Sequence, residues 1–316
     1  MTHPPQLDVL VSGLLFFDVA FSGLDHAPQP GTEVWTSAMA SGPGGIANFA
    51  FTLSRLGLRT GLAAAFGDDP LGGYCWQLLA DGEGVDLTLS RRFAGWTTPT
   101  TVALAYQGDR ALITHGAAPP MSADEMIGDP PPAKAAIVHL ELEPVAWPLR
   151  TGGLVFADVG WDPSRQWSRA MLDQLAGCHA FTPNAHEAMS YTRTGTPEAA
   201  LRSLAELVPL AVVTCGADGA LAVDSTTGET ARVPGLPVEI ADPTGAGDVF
   251  GAALVAATLA GRPLVERLRF ANLAAALSVQ RVGGAVSAPT RDELDHWWQH
   301  LTDPDLRRDY AFLKEL

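Results

Sequence analysis

Short apolar runs alternate with segments of helical period along almost the whole of this chain, and that alternation constrains its fold more than any other feature. Leu7 to Ser12 reads as a first strand ending at Gly13, and from Gly45 to Leu56 the positions Ile46, Phe49, Ala50, Leu53 and Leu56 keep helical spacing until Gly57. The rhythm continues with a strand over Thr60 to Phe66, a helix over Pro70 to Asp81, and strands over Ala136 to Leu142 and Leu154 to Val159. A helix over Ser164 to Leu175, a strand over Leu210 to Thr214 and a helix over Pro263 to Gln280 follow. Thr290-Arg-Asp-Glu293 is then a capping box opening a helix that carries Trp297 and Trp298. Strands apolar on both sides belong in a parallel sheet covered by helices on each face. The expected class is α/β, doubly wound.

Two stretches break the rhythm. Glu33 to Ser41 and Thr97 to His115 show no helical period, and the second reads as strands Thr100 to Tyr106 and Ala111 to Thr114 around the turn Gln107-Gly-Asp-Arg110. With Gly13 to Asp25 they make a small antiparallel sheet, placed as a lid over the carboxyl edge of the main sheet. The division expected is a core of residues 1–13, 42–95 and 116–316, with a lid of residues 14–41 and 96–115.

At 316 residues and 47% hydrophobic composition the chain can bury a large core. Its net charge of −15 argues against nucleic acid or an anionic membrane as partner. Cys75, Cys178 and Cys215 have no metal-type spacing and an odd count, which points to a reducing compartment. No apolar run reaches the roughly 18 residues a span needs, and Met-Thr-His-Pro-Pro-Gln at the start lacks a basic segment followed by an apolar one, so no signal peptide is expected. A cytoplasmic protein is expected.

The strongest chemical signal is Asp242-Pro-Thr-Gly-Ala-Gly-Asp248, followed by an uncharged, small-residue helix from Val249 to Gly261. A helix start has free backbone donors and the positive end of the dipole, so it favours an anion. Gly245, Ala246 and Gly247 let an anionic group touch the backbone, with Asp248 beside it to take a proton from an attacking hydroxyl. The plainer alternative is a tight loop with Asp248 as a capping residue. Ser41-Gly-Pro-Gly-Gly-Ile-Ala-Asn48 also opens a helix, but it does not fit the GxGxxG of a dinucleotide site. Of the twenty basic residues only Lys134 and Lys314 are lysines, and neither follows a glycine-rich loop, so a P-loop is absent. His296 and His300 share i,i+4 spacing without a third metal ligand; Ser12, Ser41 and Ser54 lack a GxSxG elbow. His139 reads as a strand or loop histidine, as does His115, unless His115 faces the acceptor from the lid.

Together, Gly44-Gly45-Ile-Ala-Asn48 and Asp242 to Asp248 resemble the two signatures of the ribokinase-like (PfkB) carbohydrate kinases. Between them Asn184-Ala-His-Glu187 is similar to that family's Asn-x-x-Glu element, and Val212-Val-Thr-Cys-Gly216-Ala-Asp-Gly219 to its nucleotide-binding stretch. The resemblance runs in order over about residues 7 to 302. It implies a mostly parallel ribokinase-like sheet flanked by helices, a β-sheet lid, and transfer of the ATP γ-phosphate to a primary hydroxyl. Asp248 takes the position of the base, and Gly245, Ala246 and Gly247 that of the anion hole. Asn184 and Glu187 match the element that organises Mg²⁺ through water. Thr214, Gly216 and Gly219 would line the nucleotide, with Asn272 at the adenine. Asp18, Gly44, Gly45 and Asn48 would grip the acceptor; Leu14-Leu-Phe-Phe17 makes that entrance more apolar than the family's Asn-x-Asp pattern.

The resemblance also implies a monovalent cation, K⁺, held near Asp242, Thr244, Ser278, Gly283 and Ser287, and a homodimer through the lids using Val34, Trp35, Val102, Leu104 and Tyr106. The expected substrate is an unphosphorylated sugar of the ribose, fructose or 2-keto-3-deoxygluconate type, because the lid near Thr114 offers only Arg110 to a phosphate. A nucleoside kinase on the same scaffold and a non-catalytic sugar or nucleotide sensor are the alternatives.

Overall fold

The computed structural model describes residues 7–106, 109–141 and 143–315, and of Ala285 the backbone alone. Met1 to Gln6, Gln107 and Gly108 of the hairpin turn, the strand end at Leu142 and the last residue of the core segment lie outside the described residues. In chain order the strands are β1 (Leu7–Ser12), β2 (Leu15–Leu24), β3 (Ala38–Gly45), β4 (Thr60–Ala63), β5 (Ala65–Gly67), β6 (Arg91–Phe93) and β7 (Thr100–Tyr106). They continue with β8 (Asp109–His115), β9 (Ala133–His139), β10 (Leu154–Asp158), β11 (Ala180–Phe181), β12 (Leu210–Thr214), β13 (Ala220–Asp224) and β14 (Glu229–Val233).

Eight of them form one sheet in the order β14-β13-β12-β11-β10-β9-β1-β4. It is parallel from β4 to β12, and β13 and β14 turn back antiparallel at one edge. Every residue of β1 is buried, as a central parallel strand requires. Helices cover both faces. One layer packs Phe49, Phe250, Leu254 and Leu268 against the sheet, the other Leu10, Trp147, Phe181 and Leu204. No helix among the described residues is long and apolar enough to cross a membrane.

The second sheet, in the order β3-β2-β7-β8, is mixed rather than antiparallel: β2 pairs parallel with β7, while the two outer pairs are antiparallel. The chain passes through the body between β3 and β7, so β7 arrives with its direction unconstrained by a hairpin. Its first outer strand starts at Ala38, not Glu33, and runs through Gly45, so Gly42 to Gly45 belong to this sheet.

Two further expectations are corrected. Thr60 to Phe66 is split at Ala64, because the Ser90 hydroxyl donates to the Leu62 carbonyl and accepts from the Ala64 amide. β4 stays in the main sheet while β5 leaves to pair with β6. Ser164 to Leu175 is helical only over Ala170–Asp173. The Asp162 carboxylate takes the Ser164 and Trp167 amides at 2.8 and 2.7 Å, and Arg165 and Trp167 adopt positive φ. A side chain that captures backbone donors in this way competes with helix formation.

Candidate active site

The helix Ala246–Leu259 begins at Gly245, whose φ of +74° is open to glycine and strained for other residues. That turn sets Asp248 in the first helical turn. Its carboxylate oxygen Oδ2 accepts from Nδ2 of Asn48 at 2.6 Å, joining the two glycine-rich segments across most of the fold. The Gly247 and Asp248 amides have no hydrogen-bond partner among the described residues, and a Cβ at Gly247 would meet nothing within 4 Å. The helix start is thus an open anion cradle with a carboxylate at its rim.

Two side chains from the main sheet complete the floor. His139 and Asp158 end the adjacent parallel strands β9 and β10 and are paired in register. His139 Nε2 lies 3.6 Å from Asp158 Oδ2, an ion-pair distance too long for a hydrogen bond. One donor atom each of His139, Asp158 and Asp248 lie within 4.8 Å of one another. Burial works against charge on both Asp248 and His139. It pushes Asp248 up to about 6 even though His139 and the Asn48 hydrogen bond pull it down. On His139 the same desolvation is overcome by Asp158, Asp248 and Glu187, which raise the imidazole to about 9. The surrounding carboxylates thus favour the charged imidazole.

Asp18 on β2 faces the same space. A Cβ on Gly44 would stand 1.8 Å from Asp18 Oδ2, so glycine is what makes room for this carboxylate. Burial, then Asp248 and Asp242, push Asp18 up to about 7. Strand alternation divides the apolar approach: Phe16 shares the face of Asp18, whereas Phe17 turns away and meets Tyr74 edge-on at 6.0 Å. Thr101 and Thr114 lie on the Asp18 face, hydroxyl to hydroxyl at 3.0 Å; His115 falls on the opposite one.

Asn184 caps the helix Ala185–Thr192 and forms a full capping box with Glu187. Burial, then the Asp158 charge, raises Glu187 to about 7. Asn184, Thr214 and Gly216 line one cleft of about 430 Å³, together with Asp218 and Arg232. Gly219, in contrast, is a backbone position: at φ +90° its Cβ would stand 2.0 Å from the Val233 carbonyl.

A sequence profile described as pfkB family carbohydrate kinase matches residues 7–291. The chain belongs to that family. It is 30% identical over 298 residues to a nucleoside kinase of Methanothermobacter thermautotrophicus, covering 90% of this chain and 94% of that one. It is 27% identical to the ribokinase of Bacillus subtilis, covering 91% and 98%. Arabidopsis thaliana ribokinase, solved with ribose and ATP, superposes with a TM-score of 0.75 at 25% identity, covering 92% of this chain and 98% of that one. The protein is a carbohydrate kinase with a ribokinase-like fold.

In this pfkB kinase Asp242 serves the loop. Its two oxygens accept from the Thr244 and Gly283 amides at 2.9 and 3.0 Å, stapling the glycine-rich turn to the 283–287 segment. The Ser278 and Ser287 hydroxyls donate to the carbonyls of Ala275 and Gly284. The Asn272 amide, expected at the adenine, donates to the Val233 and Pro234 carbonyls and fastens the exit of β14. His296 and His300 stand 4.0 Å apart ring to ring, with no third metal-type ligand beside them among the described residues. His139 and Asp158 are the site residues that the sequence reading missed. Both are polar residues ending apolar parallel strands, where doubly wound sheets bind ligands, and that position is the signal that marks them.

Proposed function

We propose that the protein transfers the γ-phosphoryl group of ATP to a primary hydroxyl of an unphosphorylated sugar of the ribose, fructose or 2-keto-3-deoxygluconate type, with Asp248 as general base. The observation that carries this reading is the position of Asp248: hydrogen-bonded to Asn48 and set at the rim of free helix-start amides, across from Asp18. Asp18 and Asn48 would hold the acceptor, with Gly44 and Gly45 allowing close approach. Asp248 would take the hydroxyl proton as the oxygen attacks phosphorus. The Gly245 to Gly247 backbone would hold the charge spread over the transferred group. Thr214, Gly216 and Asn184 would line the nucleotide in the cleft they share.

Mg²⁺ fits the donor side. Glu187 is a buried carboxylate held up to about 7, which a hydrated divalent cation beside it would return to its charged form. When bound, the ion would neutralise charge on the donor phosphates. K⁺ would be held by Asp242 and by carbonyls of the Thr244 and 278–287 loops, which Asp242 already ties together through the Thr244 and Gly283 amides; no step is derived through that ion.

The outer face of the four-stranded sheet carries Val19, Phe21, Val102 and Leu104, with Met39 60% and Ile113 64% exposed. Trp35 and Val34 beside it are exposed as well. A second copy of the chain would cover this apolar surface, with the sheet acting as a lid on the opposite, Asp18 side. A dimer mass in light scattering is expected; a monomer at working concentration would contradict it. Three thiols without a disulfide suit a cytoplasmic setting.

A nucleoside acceptor is the second reading. Ala20 and Ala103 on the Asp18 face are small and leave width for a base, and the nucleoside kinase of M. thermautotrophicus is 30% identical. ADP release with Mg-ATP, measured over sugars and nucleosides in parallel, separates them. Turnover of ribose, fructose or 2-keto-3-deoxygluconate above adenosine, inosine and cytidine supports the sugar reading; the reverse order replaces it. Folded protein inert toward all of them would contradict both.

A further inference from the structure

His139 is a titratable group that the mechanism above does not use. It ends β9 at the floor of the cleft, its Nε2 shielded from solvent and without a hydrogen bond among the described residues. Carboxylates face it from every side that carries charge: Asp158 at 3.6 Å from β10, Asp248 from the helix Ala246–Leu259, Glu187 from the helix Ala185–Thr192, and Glu141 two residues on. From the helix Ala47–Arg55 the Phe49 ring meets it edge-on at 5.7 Å. Arg110 acts on Asp248 from the small sheet, which is separate from this floor.

We infer that His139 is a positioning residue for phosphoryl transfer: its charged imidazole, set between Asp158 and Asp248, holds the Asp248 carboxylate ionised and in place at the helix start. This rests on the reading of Asp248 as the base. No atom is transferred to or from His139; it acts by charge. The reason a cation is needed there is the crowd of acids. Burial and the nearby Asp158 charge both raise Asp248, and without a positive charge beside it the base would hold its proton closer to neutral pH. His139 and Asp158 therefore pull on Asp248 in opposite directions, and this makes the role testable.

The test is the pH dependence of kcat/KM for the acceptor, at saturating Mg-ATP, in His139→Gln and Asp158→Asn. Removing the imidazolium should move the acid limb up by about one pH unit and lower kcat/KM roughly tenfold below neutrality, with KM for ATP little changed. Removing the Asp158 carboxylate should move the same limb down, since Asp158 raises Asp248 and His139 keeps its charge through the acid range. A packing role alone would lower stability and leave the limb where it is. If His139→Gln does not fold, the Asp158→Asn shift decides. An unmoved or upward-moved limb in folded Asp158→Asn, or an unmoved one in folded His139→Gln, overturns the inference. Asp248→Asn is the control. If that variant keeps its rate, the reading of the base has failed; if it is inactive while the limbs stay put, only the role of His139 has.

Discussion

The two edges of the main sheet treat their carboxylates in opposite ways. At the amino-terminal edge Asp8 opens β1 and is paired with Lys134 at 2.8 Å and with the Arg59 guanidinium at 3.3 Å. Burial there is outweighed by these partners and by the Arg59 amide, and Asp8 is held down to about 2. At the carboxyl-terminal edge burial, with neighbouring carboxylates adding to it, pushes Asp18, Glu187 and Asp248 up to about 7, 7 and 6. The first edge is arranged for the folded chain alone. The second keeps a repulsion that a bound cation and a gripped hydroxyl would relieve, which is the trade of stability for activity common at functional sites.

Asp18→Asn tests that contrast most severely. If Asp18 grips acceptor hydroxyls, losing hydrogen bonds to a charged group should lower kcat/KM for the acceptor by roughly 10–100-fold. Stability should move the other way. A carboxylate raised from 3.8 to about 7 keeps a proton in the folded state that the unfolded chain has released, so its ionisation costs stability as pH rises through that window. The variant should melt higher than the wild type at pH 8 and equal to it near pH 4. A lower melting temperature at pH 8 would break the comparison.

Asp8→Asn should have the smaller effect. Its lowered carboxylate stabilises the fold above the unfolded value of 3.8, and that contribution is lost as pH falls through about 2. The variant should melt lower at pH 7, with the gap to wild type closing below pH 4, and its kcat should be unchanged. A change in kcat would mean that the two edges are coupled.

How much of this was legible in the sequence follows from how local each feature is. The helix start at Asp242 to Asp248 was readable because its glycines, its missing side-chain cap and its carboxylate lie within one turn. The capping boxes at Asn184 and Thr290 were readable for the same reason. The pairing of His139 with Asp158 depends on the register between β9 and β10, which no local pattern shows. The hydrogen bonds of Asn272 were not legible, because its partners, the carbonyls of Val233 and Pro234, lie almost forty residues away. The helix expected from Ser164 failed on Asp162, a residue just outside the apolar pattern that produced it. Gly44 was placed at the acceptor from its motif, but the Asp18 carboxylate that leaves no room for a side chain there is legible only when β2 and β3 are paired.

The proton acceptor is the centre of the account, and kcat of Asp248→Asn at saturating ATP and acceptor tests it most directly. The amide keeps the size of the side chain and can still pair with Asn48 after a flip, but it cannot take the hydroxyl proton. General-base catalysis is typically worth about 10²–10⁴-fold, so kcat should fall by that much while ATP affinity and the melting temperature at pH 5 stay near those of the wild type. A folded Asp248→Asn enzyme that retains near-normal kcat would show that the proton leaves by another route.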